Sequence, residues 1–469
     1  MRRPKTLAVA LLLTLSSAAI AQIQPIEKGQ TIPKVVCSGN PAQSYALYVP
    51  SGYSATNPSA IIYVFDPAAR GAVAVEAIRR AAEQYGYIVA ASNTSRNGST
   101  ASSSEAANAI FQDTHQRFAI DDRRIYMAGF SGGARVATQF ALMCKTCIAG
   151  VIANGAGFPQ SAAPKSNFGF AYFLAIGNAD FNFGEMVELR SQLEQVHANY
   201  RIHVFEGSHE WAPDPAWQDA LRWMNLQAMR SGALARDPKV IQQIFQEEQE
   251  RARALESSGN VLPAERDYES IARDFDGLTD VASLKARVSE LKGSKAFKAG
   301  EKQERSELDQ QARLTDRASS QIQGIATNNT DLTTYADIKR TMLSLKEDLS
   351  KAPNPPDSHA LVLKRALGQL VVQAYEAGEH NMETRNYVAA LAYFDLVAAG
   401  AKSPGGALFE RARAYAAQGD AKKCLAELKQ AQAGGFHDVS ALDAAEFNPY
   451  RQLPEFQSLA SEWSKQARP

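Results

Sequence analysis

The stretch that decides the fold is Ile125-Tyr126-Met127-Ala128-Gly129-Phe130-Ser131-Gly132-Gly133-Ala134. Its apolar start is typical of a buried β-strand, and the spacing after it predicts a helix over Gly133 to Met143. Between them Gly129, Ser131 and Gly133 form a G-x-S-x-G motif. A serine on such a tight strand-to-helix turn is exposed, and the next amide faces the oxyanion that forms during attack. We therefore predict Ser131 as a nucleophile and Gly132 as an oxyanion donor; the alternative is a glycine-rich turn with an idle serine.

Strands and helices alternate on both sides of this motif, because apolar runs and helical spacing follow one another along the chain. The predicted strands are Ser44–Val49 (an antiparallel edge), Ala60–Phe65, Tyr87–Ala91, Arg124–Ala128, Ile148–Asn154, Ala171–Ile176 and Arg201–Phe205. The predicted helices are Ser104–Phe118, Gly133–Met143, Gly184–His197 and Ala216–Met229. Such alternation predicts an α/β fold with a mainly parallel sheet covered on both faces, whose sites lie at the carboxyl ends of strands.

The motif and the alternation resemble the α/β-hydrolase superfamily over about Thr31 to Met229. The resemblance implies an α/β-hydrolase sandwich with a triad that follows the chain order Ser, acid, His. Asp180 and His209 come after Ser131 in that order, and each lies just past a predicted strand end. The roles it implies are Ser131 as nucleophile, His209 as the base and Asp180 as the group that orients the imidazole.

Other residues compete for the last two roles. The rival histidines are His115, His197 and His203. Their positions, within or at the end of a predicted helix or inside a predicted strand, favour structural roles. The rival acids are Glu206, Glu210 and Asp214. They are too close in sequence to His209 to form the usual acid turn.

The loop after the strand Ala60–Phe65 should supply the second amide of the oxyanion hole. Many superfamily members have a His-Gly pair there, whereas this loop reads Asp66-Pro67-Ala68-Ala69-Arg70-Gly71. Because Pro67 has no N–H group, Ala68 is the predicted donor. We interpret Arg70 as a solvated loop residue; the alternative places it at the substrate mouth, and residues 93–96 are a second rim candidate.

Within the superfamily, the run over residues 125–134 is most similar to secreted esterases of the feruloyl-esterase and polyhydroxyalkanoate-depolymerase type. This implies hydrolysis of a small or polymeric ester through an acyl-enzyme on Ser131. The segment from Gly155 to Phe170 is too short for a large lid, which predicts an open site. Three tryptophans are expected to pack rather than to form an aromatic subsite: Trp211, Trp217 and Trp223. Neither a cofactor nor a metal is predicted.

The second half of the chain is richer in charge and has long stretches of helical spacing. An offset of 34 residues relates Gly378, Tyr387, Ala390 and Phe394 to Ala412, Ala421, Cys424 and Leu428. This pattern resembles the tetratricopeptide repeat and implies an all-α region with a surface for a protein partner. The alternative is an ordinary helical bundle. Lys292–Gln321 is interpreted as a solvated helix or a flexible connector, and Pro353–Pro356 as a linker.

The N-terminus has the three parts of a secretory signal. Basic residues precede the apolar run Leu7–Leu15, and Ala19-Ile20-Ala21 supplies small residues for cleavage. A signal peptide over residues 1–21 predicts an exported chain, periplasmic or extracellular, without a stable membrane anchor; a lone anchor is the alternative. Export favours a structural bridge over a redox pair, and the pairing among Cys37, Cys144 and Cys147 stays open.

Composition excludes several function classes. The 469 residues carry 50 Lys+Arg and 50 Asp+Glu, so the chain has no charge excess for binding nucleic acid or an anionic membrane. The length predicts more than one domain. We expect a hydrolase domain over 22–232, a helical, charged connector over 233–350 and a repeat-like domain over 351–469. The leading prediction is an exported serine hydrolase; a serine peptidase and an inactive scaffold that acts through its repeats are the alternatives.

Overall fold

The computed structural model describes residues 26–98, 100–144, 146–159, 162–164, 168–325 and 332–466. The predicted signal peptide lies outside the described residues. The strands are β1 (Thr31–Cys37), β2 (Asn40–Tyr48), β3 (Ser59–Phe65), β4 (Tyr87–Ser92), β5 (Ile120–Phe130), β6 (Gly150–Asn154), β7 (Ala171–Gly177) and β8 (Tyr200–Phe205). The helices among them are α1 (Gly71–Tyr85), α2 (Thr100–Arg117), α3 (Gly132–Met143), α4 (Phe183–Gln195) and α5 (Asp214–Ser231).

These strands form one eight-stranded sheet in the order β1-β2-β4-β3-β5-β6-β7-β8. Strands β1 and β2 pair antiparallel, β2 also lies antiparallel to β4, and all other pairs are parallel. One core lies between the sheet and α2, α3 and α4, and a second lies between the opposite face and α1 and α5. The predicted α/β fold with a mainly parallel, two-faced sheet is therefore confirmed.

Strand β1 and helix α1 were not predicted from the sequence. Strand β1 is the true sheet edge, so β2 is an inner strand rather than the expected edge. Of the seven residues in β1 three are exposed and only Cys37 is buried, and the pairing with β2 contains register shifts, which explains why no clear alternation marks this strand. Helix α1 buries only one side, mostly through alanines, against the second core.

The parallel register brings the strand ends that matter for the site side by side. Phe130 at the end of β5 is level with Asn154 at the end of β6. Gly177 at the end of β7 is level with Phe205 at the end of β8. Loops that leave these four neighbouring strands therefore emerge at one edge of the sheet, where parallel sheets usually carry their sites.

The rest of the described chain is helical. The helices are α6 (Pro238–Ser257), α7 (Val261–Asp274), α8 (Ala282–Gly293), α9 (Lys295–Ile325), α10 (Leu332–Ser350), α11 (Ser358–Glu383), α12 (Tyr387–Gly400), α13 (Gly405–Ala417), α14 (Ala421–Ala433) and α15 (Pro454–Gln466), with 3-10 helices at Val439–Asp443 and Ala445–Tyr450. Consecutive helices pack on one another, α6 on α7 and α11 through α14 in series. A β-carbon on Gly378 would lie 2.5 Å from the ring of Phe394, so this small residue lets α11 and α12 approach closely. The all-α prediction is confirmed, and tetratricopeptide geometry stays a prediction.

The segment Lys292–Gln321, predicted as a solvated helix or a flexible connector, begins at the end of α8 and continues through most of the long helix α9. Its exposed polar side faces solvent, while α9 also packs against α7 and α11. Buried Thr315 and Gln311 lie on the packed side. A helix of this length therefore links the two halves of the helical region.

A buried ion cluster joins two halves of the chain. The half that contains the sheet and ends with α5 at Ser231 is called the hydrolase-like half, and the half that begins with α6 at Pro238 is called the helical half. Arg201 on β8 donates to both carboxylate oxygens of Glu248 on α6, at 2.5 and 2.6 Å. Its guanidinium also lies 3.0 Å from Asp274 at the end of α7, which in turn accepts from the indole of Trp223. All of these side chains are almost fully buried. The two halves therefore share a core instead of being joined by a linker.

Cys144 and Cys147 form a disulfide, which decides the pairing that the sequence left open. Cys37 and Cys424 are buried thiols, and burial raises their pKa values to about 11 and about 12. Within the described ranges, no helix is both long and apolar enough to cross a bilayer.

Candidate active site

The G-x-S-x-G motif forms the turn between β5 and α3. Ser131 has φ 53° and ψ −125°, a conformation that is strained for a residue with a side chain. A β-carbon on Gly133 would lie 2.0 Å from the carbonyl oxygen of Phe65, and one on Gly129 would lie 2.3 Å from that of Gly133. Only glycine fits at both positions. The motif therefore holds Ser131 at the tip of a turn tight enough to strain it, directly before a helix N-terminus.

Asp180 and His209 are held against one another. Nδ1 of His209 lies 2.9 Å from Oδ2 and 3.0 Å from Oδ1 of Asp180. Since a carboxylate only accepts hydrogen bonds, this contact places the proton of a neutral imidazole on Nδ1 and leaves Nε2 with a free lone pair. Asp180 is fully buried, and the imidazole lies between the rings of Phe130 and Phe181, at centroid distances of 4.6 and 4.3 Å.

The end of β6 connects this pair to the serine turn. The backbone N–H of Ser131 donates to the carbonyl of Asn154 at 2.8 Å. The next residue, Gly155, has φ 68°, and a β-carbon there would lie 3.2 Å from the imidazole of His209 and 3.3 Å from Asp180. The three predicted triad residues therefore surround one strand end. Ser131 Oγ and His209 Nε2 form no hydrogen bond in the part of the chain described, a contact that often tightens only with substrate bound.

The two predicted oxyanion donors differ in their surroundings. Gly132 is the first residue of α3, where backbone N–H groups have no partner within the helix. The N–H of Ala68 instead donates to Oδ1 of Asp66 at 2.8 Å. That carboxylate also binds Arg70 and the indole of Trp211, and although burial opposes ionisation, these contacts hold the pKa of Asp66 below its ordinary value. The expectation for Ala68 therefore does not fit this geometry, because a charged acceptor already occupies its amide.

Asn97, which follows β4, packs against the serine turn. A β-carbon on Gly132 would lie 1.9 Å from Oδ1 and 3.1 Å from Nδ2 of Asn97, so the side-chain amide rests on the elbow itself. Its own backbone N–H donates to the carbonyl of Pro67. The rim candidate in the sequence ended one residue earlier, and no local pattern distinguishes Asn97 from its neighbours.

A cleft of about 800 Å³ opens beside Ser131. The hydrolase-like half contributes Asn97, Gly98, Ser131, Gly132, Arg135, Pro159, Phe181, Asn182 and Glu185 to its walls. Helix α11 contributes Gln369, Val372, Gln373 and Glu376. The expected open site is thus wrong in one respect. The segment between β6 and β7 is short, but a helix from the other half of the chain forms a wall of the cleft.

Helix α11 also holds the turn that carries Asp180. Nε of Arg365 donates to the carbonyl of Asn178 at 2.7 Å, and its guanidinium lies 3.9 Å from the ring centre of Phe183. Gln311 on α9 donates to the carbonyl of Phe181 at 3.1 Å. Each contact joins the helical half to the acid turn. Burial lowers the pKa of Arg365.

The rival residues take structural places. His203 lies 3.0 Å from Asp219, and His115 lies 3.3 Å from Asp122. His197 follows α4 with φ 50°. Arg70 is half exposed and anchored to Asp66, so it is neither free in solvent nor a lining residue of the cleft. Among the three tryptophans, Trp217 and Trp223 are buried and Trp211 binds Asp66.

The described residues include no group of three or more His, Cys, Asp or Glu side chains placed to hold a metal ion. Beside the cleft, the structure brings together a serine turn, a histidine with a free lone pair and a buried carboxylate. Such a set can attack a carbonyl carbon and pass a proton to a leaving group.

Part of the chain is similar to known proteins. The family model described as phospholipase/carboxylesterase matches residues 56–227. An S-formylglutathione hydrolase from Staphylococcus aureus is 15% identical, covers 42% of this chain and 98% of its own, and has a TM-score of 0.34. A feruloyl esterase module from Clostridium thermocellum is 13% identical over 41% of this chain and 86% of its own, with a TM-score of 0.33. No curated protein sequence matches the chain. Over residues 56–227, the sequence of the α/β part of the chain thus matches the phospholipase/carboxylesterase family.

Proposed function

We propose that the protein is an exported serine hydrolase that cleaves carboxylic esters through an acyl-enzyme on Ser131. The observation that carries this proposal is the buried Asp180 carboxylate, 2.9 Å from Nδ1 of His209 beside a strained serine turn. The family match to carboxylesterases supports an ester as substrate.

The proposed reaction begins when Oγ of Ser131 attacks the ester carbonyl and its proton passes to Nε2 of His209. Asp180 keeps the imidazole in the required tautomer and stabilises its positive charge. The amide of Gly132 and the side-chain amide of Asn97 are the proposed oxyanion donors. His209 then gives its proton to the leaving alcohol, and water activated by the same imidazole releases the acid.

The test is the intact mass of the mature protein after treatment with an alkyl fluorophosphonate. We expect a single adduct, and peptide mapping should locate it on Ser131. The matched Ser131→Ala protein should remain unlabelled and lose ester hydrolysis. An unlabelled wild-type protein that is folded by circular dichroism would overturn the proposal.

Arg365 provides a second prediction, because it holds the acid turn from the helical half. Arg365→Met removes the hydrogen bond to Asn178, so Asp180 should lose its fixed position relative to His209. We expect kcat to fall roughly tenfold or more with little change in KM, since misplacing a catalytic group weakens mainly the chemical step. Arg365→Lys restores one donor and should recover part of the loss. Equal losses in both variants would contradict a positioning role.

Export is the remaining part of the proposal. The disulfide between Cys144 and Cys147 supports an oxidising compartment, since such bonds are rare in the cytosol. N-terminal sequencing of protein recovered from the periplasm or medium should begin at Gln22. Recovery in the cytoplasm with residues 1–21 still attached would contradict export.

A further inference from the structure

Three ionisable side chains line the cleft beside Ser131: Arg135, Glu185 and Glu376. Two of them neutralise one another. Arg135 donates to both carboxylate oxygens of Glu185, at 2.9 and 2.6 Å, and to the carbonyl of Phe158 at 2.6 Å. A bidentate pair of this kind leaves little charge for a ligand.

Glu376 is the remaining charge. It lies on α11, on the wall that the helical half contributes, and its side chain is exposed. It forms no ion pair with any of the residues described here. Enough protein surrounds the carboxyl group that desolvation raises the pKa of Glu376, while the charges of Arg135 and His209 lower it in part. Because Glu376 lines the cleft, its charge faces a ligand bound there.

A second acceptor lies one turn away on the same helix. Oε1 of Gln373 is buried and has no hydrogen-bond partner among the described residues. An acceptor without a donor is costly, and because Gln373 lines the cleft, rotation of its side chain would offer this oxygen to an N–H group of a ligand. Glu376 and Gln373 together offer a negative charge and an unused oxygen, which are the groups that recognise an ammonium ion.

We propose that Glu376, with Gln373, makes the site selective for esters that carry a positively charged amine. This inference deepens the proposed function and rests on it. The helical half is then part of the substrate site instead of a separate appendage. A charge placed in a cleft favours the opposite charge and disfavours its own, so substrates with a carboxylate at the same position should be poor.

The experiment compares esters that match in length but differ in charge. Methyl 6-aminohexanoate, methyl heptanoate and monomethyl adipate place an ammonium, a methyl group or a carboxylate at the end of the acyl chain. 5-Aminopentyl acetate and hexyl acetate place an ammonium or a methyl group at the end of the alcohol chain. The readout is the ratio of kcat/KM for the cationic ester to kcat/KM for the neutral one, at mildly alkaline pH. The ratio is measured separately for the acyl series and for the alcohol series, which are the two arms of the experiment. The series with the larger ratio is the one whose charged end lies along α11.

For wild-type protein we expect this ratio to exceed that of Glu376→Gln about tenfold, which corresponds to about 1.4 kcal/mol. Glu376→Lys should reverse the preference in favour of monomethyl adipate. Glu383→Gln is the matched control, since it removes an exposed charge from the same helix at a position that does not line the cleft. That control should keep the wild-type ratio. Thermal unfolding of each variant verifies that it is folded.

The outcomes separate this inference from the function on which it rests. If wild type hydrolyses the neutral esters but Glu376→Gln has the same ratio in both arms, the inference is overturned and the hydrolase proposal stands. Inactivation rates with aminoalkyl and alkyl fluorophosphonates give the same ratio without needing turnover. If neither reagent labels wild-type protein, both proposals are overturned.

Discussion

Asp180→Asn should lower kcat for ester hydrolysis by about 10⁴-fold, as loss of the orienting carboxylate does in serine hydrolases with this triad. The buried carboxylate accepts the proton of Nδ1, at 2.9 Å. An asparagine can present its NH₂ group instead, which would favour the tautomer that carries its proton on Nε2. That imidazole cannot take the proton of Ser131. The measurement is steady-state hydrolysis of an ester that the wild-type protein accepts.

Asp214→Asn is the matched control for this experiment. Asp214 was a rival acid in the sequence, and in the structure it lies 3.7 Å from the exposed Arg80 at the start of α5. Its substitution should leave kcat within about twofold, since such surface pairs contribute little. Asp180→Asn with less than a tenfold loss, or an equal loss in both variants, would remove Asp180 from its proposed role.

Arg201→Met should reduce the free energy of unfolding by about 3–5 kcal/mol, the usual cost of removing one partner from a buried ion cluster. Glu248 and Asp274 are 1% and 0% exposed, so the substitution leaves two buried carboxylates without their main counter-charge. Urea unfolding followed by tryptophan fluorescence suits this site, because Trp223 donates to Asp274. A loss below about 1 kcal/mol would contradict the importance of the cluster.

The pH dependence of the free energy of unfolding tests whether the unpaired buried carboxylates cause this loss. Burial already raises the pKa of Asp274 in the wild-type protein, although Arg201 acts to lower it. Without Arg201, the folded-state pKa of Asp274 should rise further above that of the unfolded chain, and the pKa of Glu248, which burial raises but Arg201 helps to hold below its ordinary value, should rise as well. Groups with raised pKa values destabilise the fold when ionised, so the deficit of Arg201→Met should shrink as the pH falls towards their raised values. Arg317→Met, which removes an 80% exposed arginine, is the control and should show no comparable loss.

The structure shows contacts between the helical half and the candidate active site. Its sequence suggested a surface for a protein partner, and that role stays a prediction. Helix α11 already has an intramolecular task, because it lines the cleft beside Ser131 and binds the turn that carries Asp180. Removal of the helical half would therefore be expected to impair the site as well as any binding of a partner.

The sequence by itself determined the α/β fold, the serine turn and the positions of the proposed acid and base. These features are encoded locally. The G-x-S-x-G motif indicates a tight turn with glycines on both sides of the serine. Apolar runs indicate the strands, and Ser131, Asp180 and His209 lie just past the ends of three of them. Because parallel strands end at the same edge, their order along the chain was enough to bring these residues together.

Only the tertiary structure decided what surrounds them. Ala68 was predicted as an oxyanion donor because Pro67 has no N–H group. In the structure, the backbone N–H of Ala68 already donates to Asp66, two residues before it. The contact between Arg365 and Asn178 spans 187 residues, and Glu376 reaches the cleft from a different half of the chain. The periodicity of apolar residues indicates which face of a helix is buried, but not which other element covers that face. The partner of the face depends on how two folded surfaces fit together. In this protein, the packing of α11 beside Ser131 determines one wall of the cleft and places the charge of Glu376 in it.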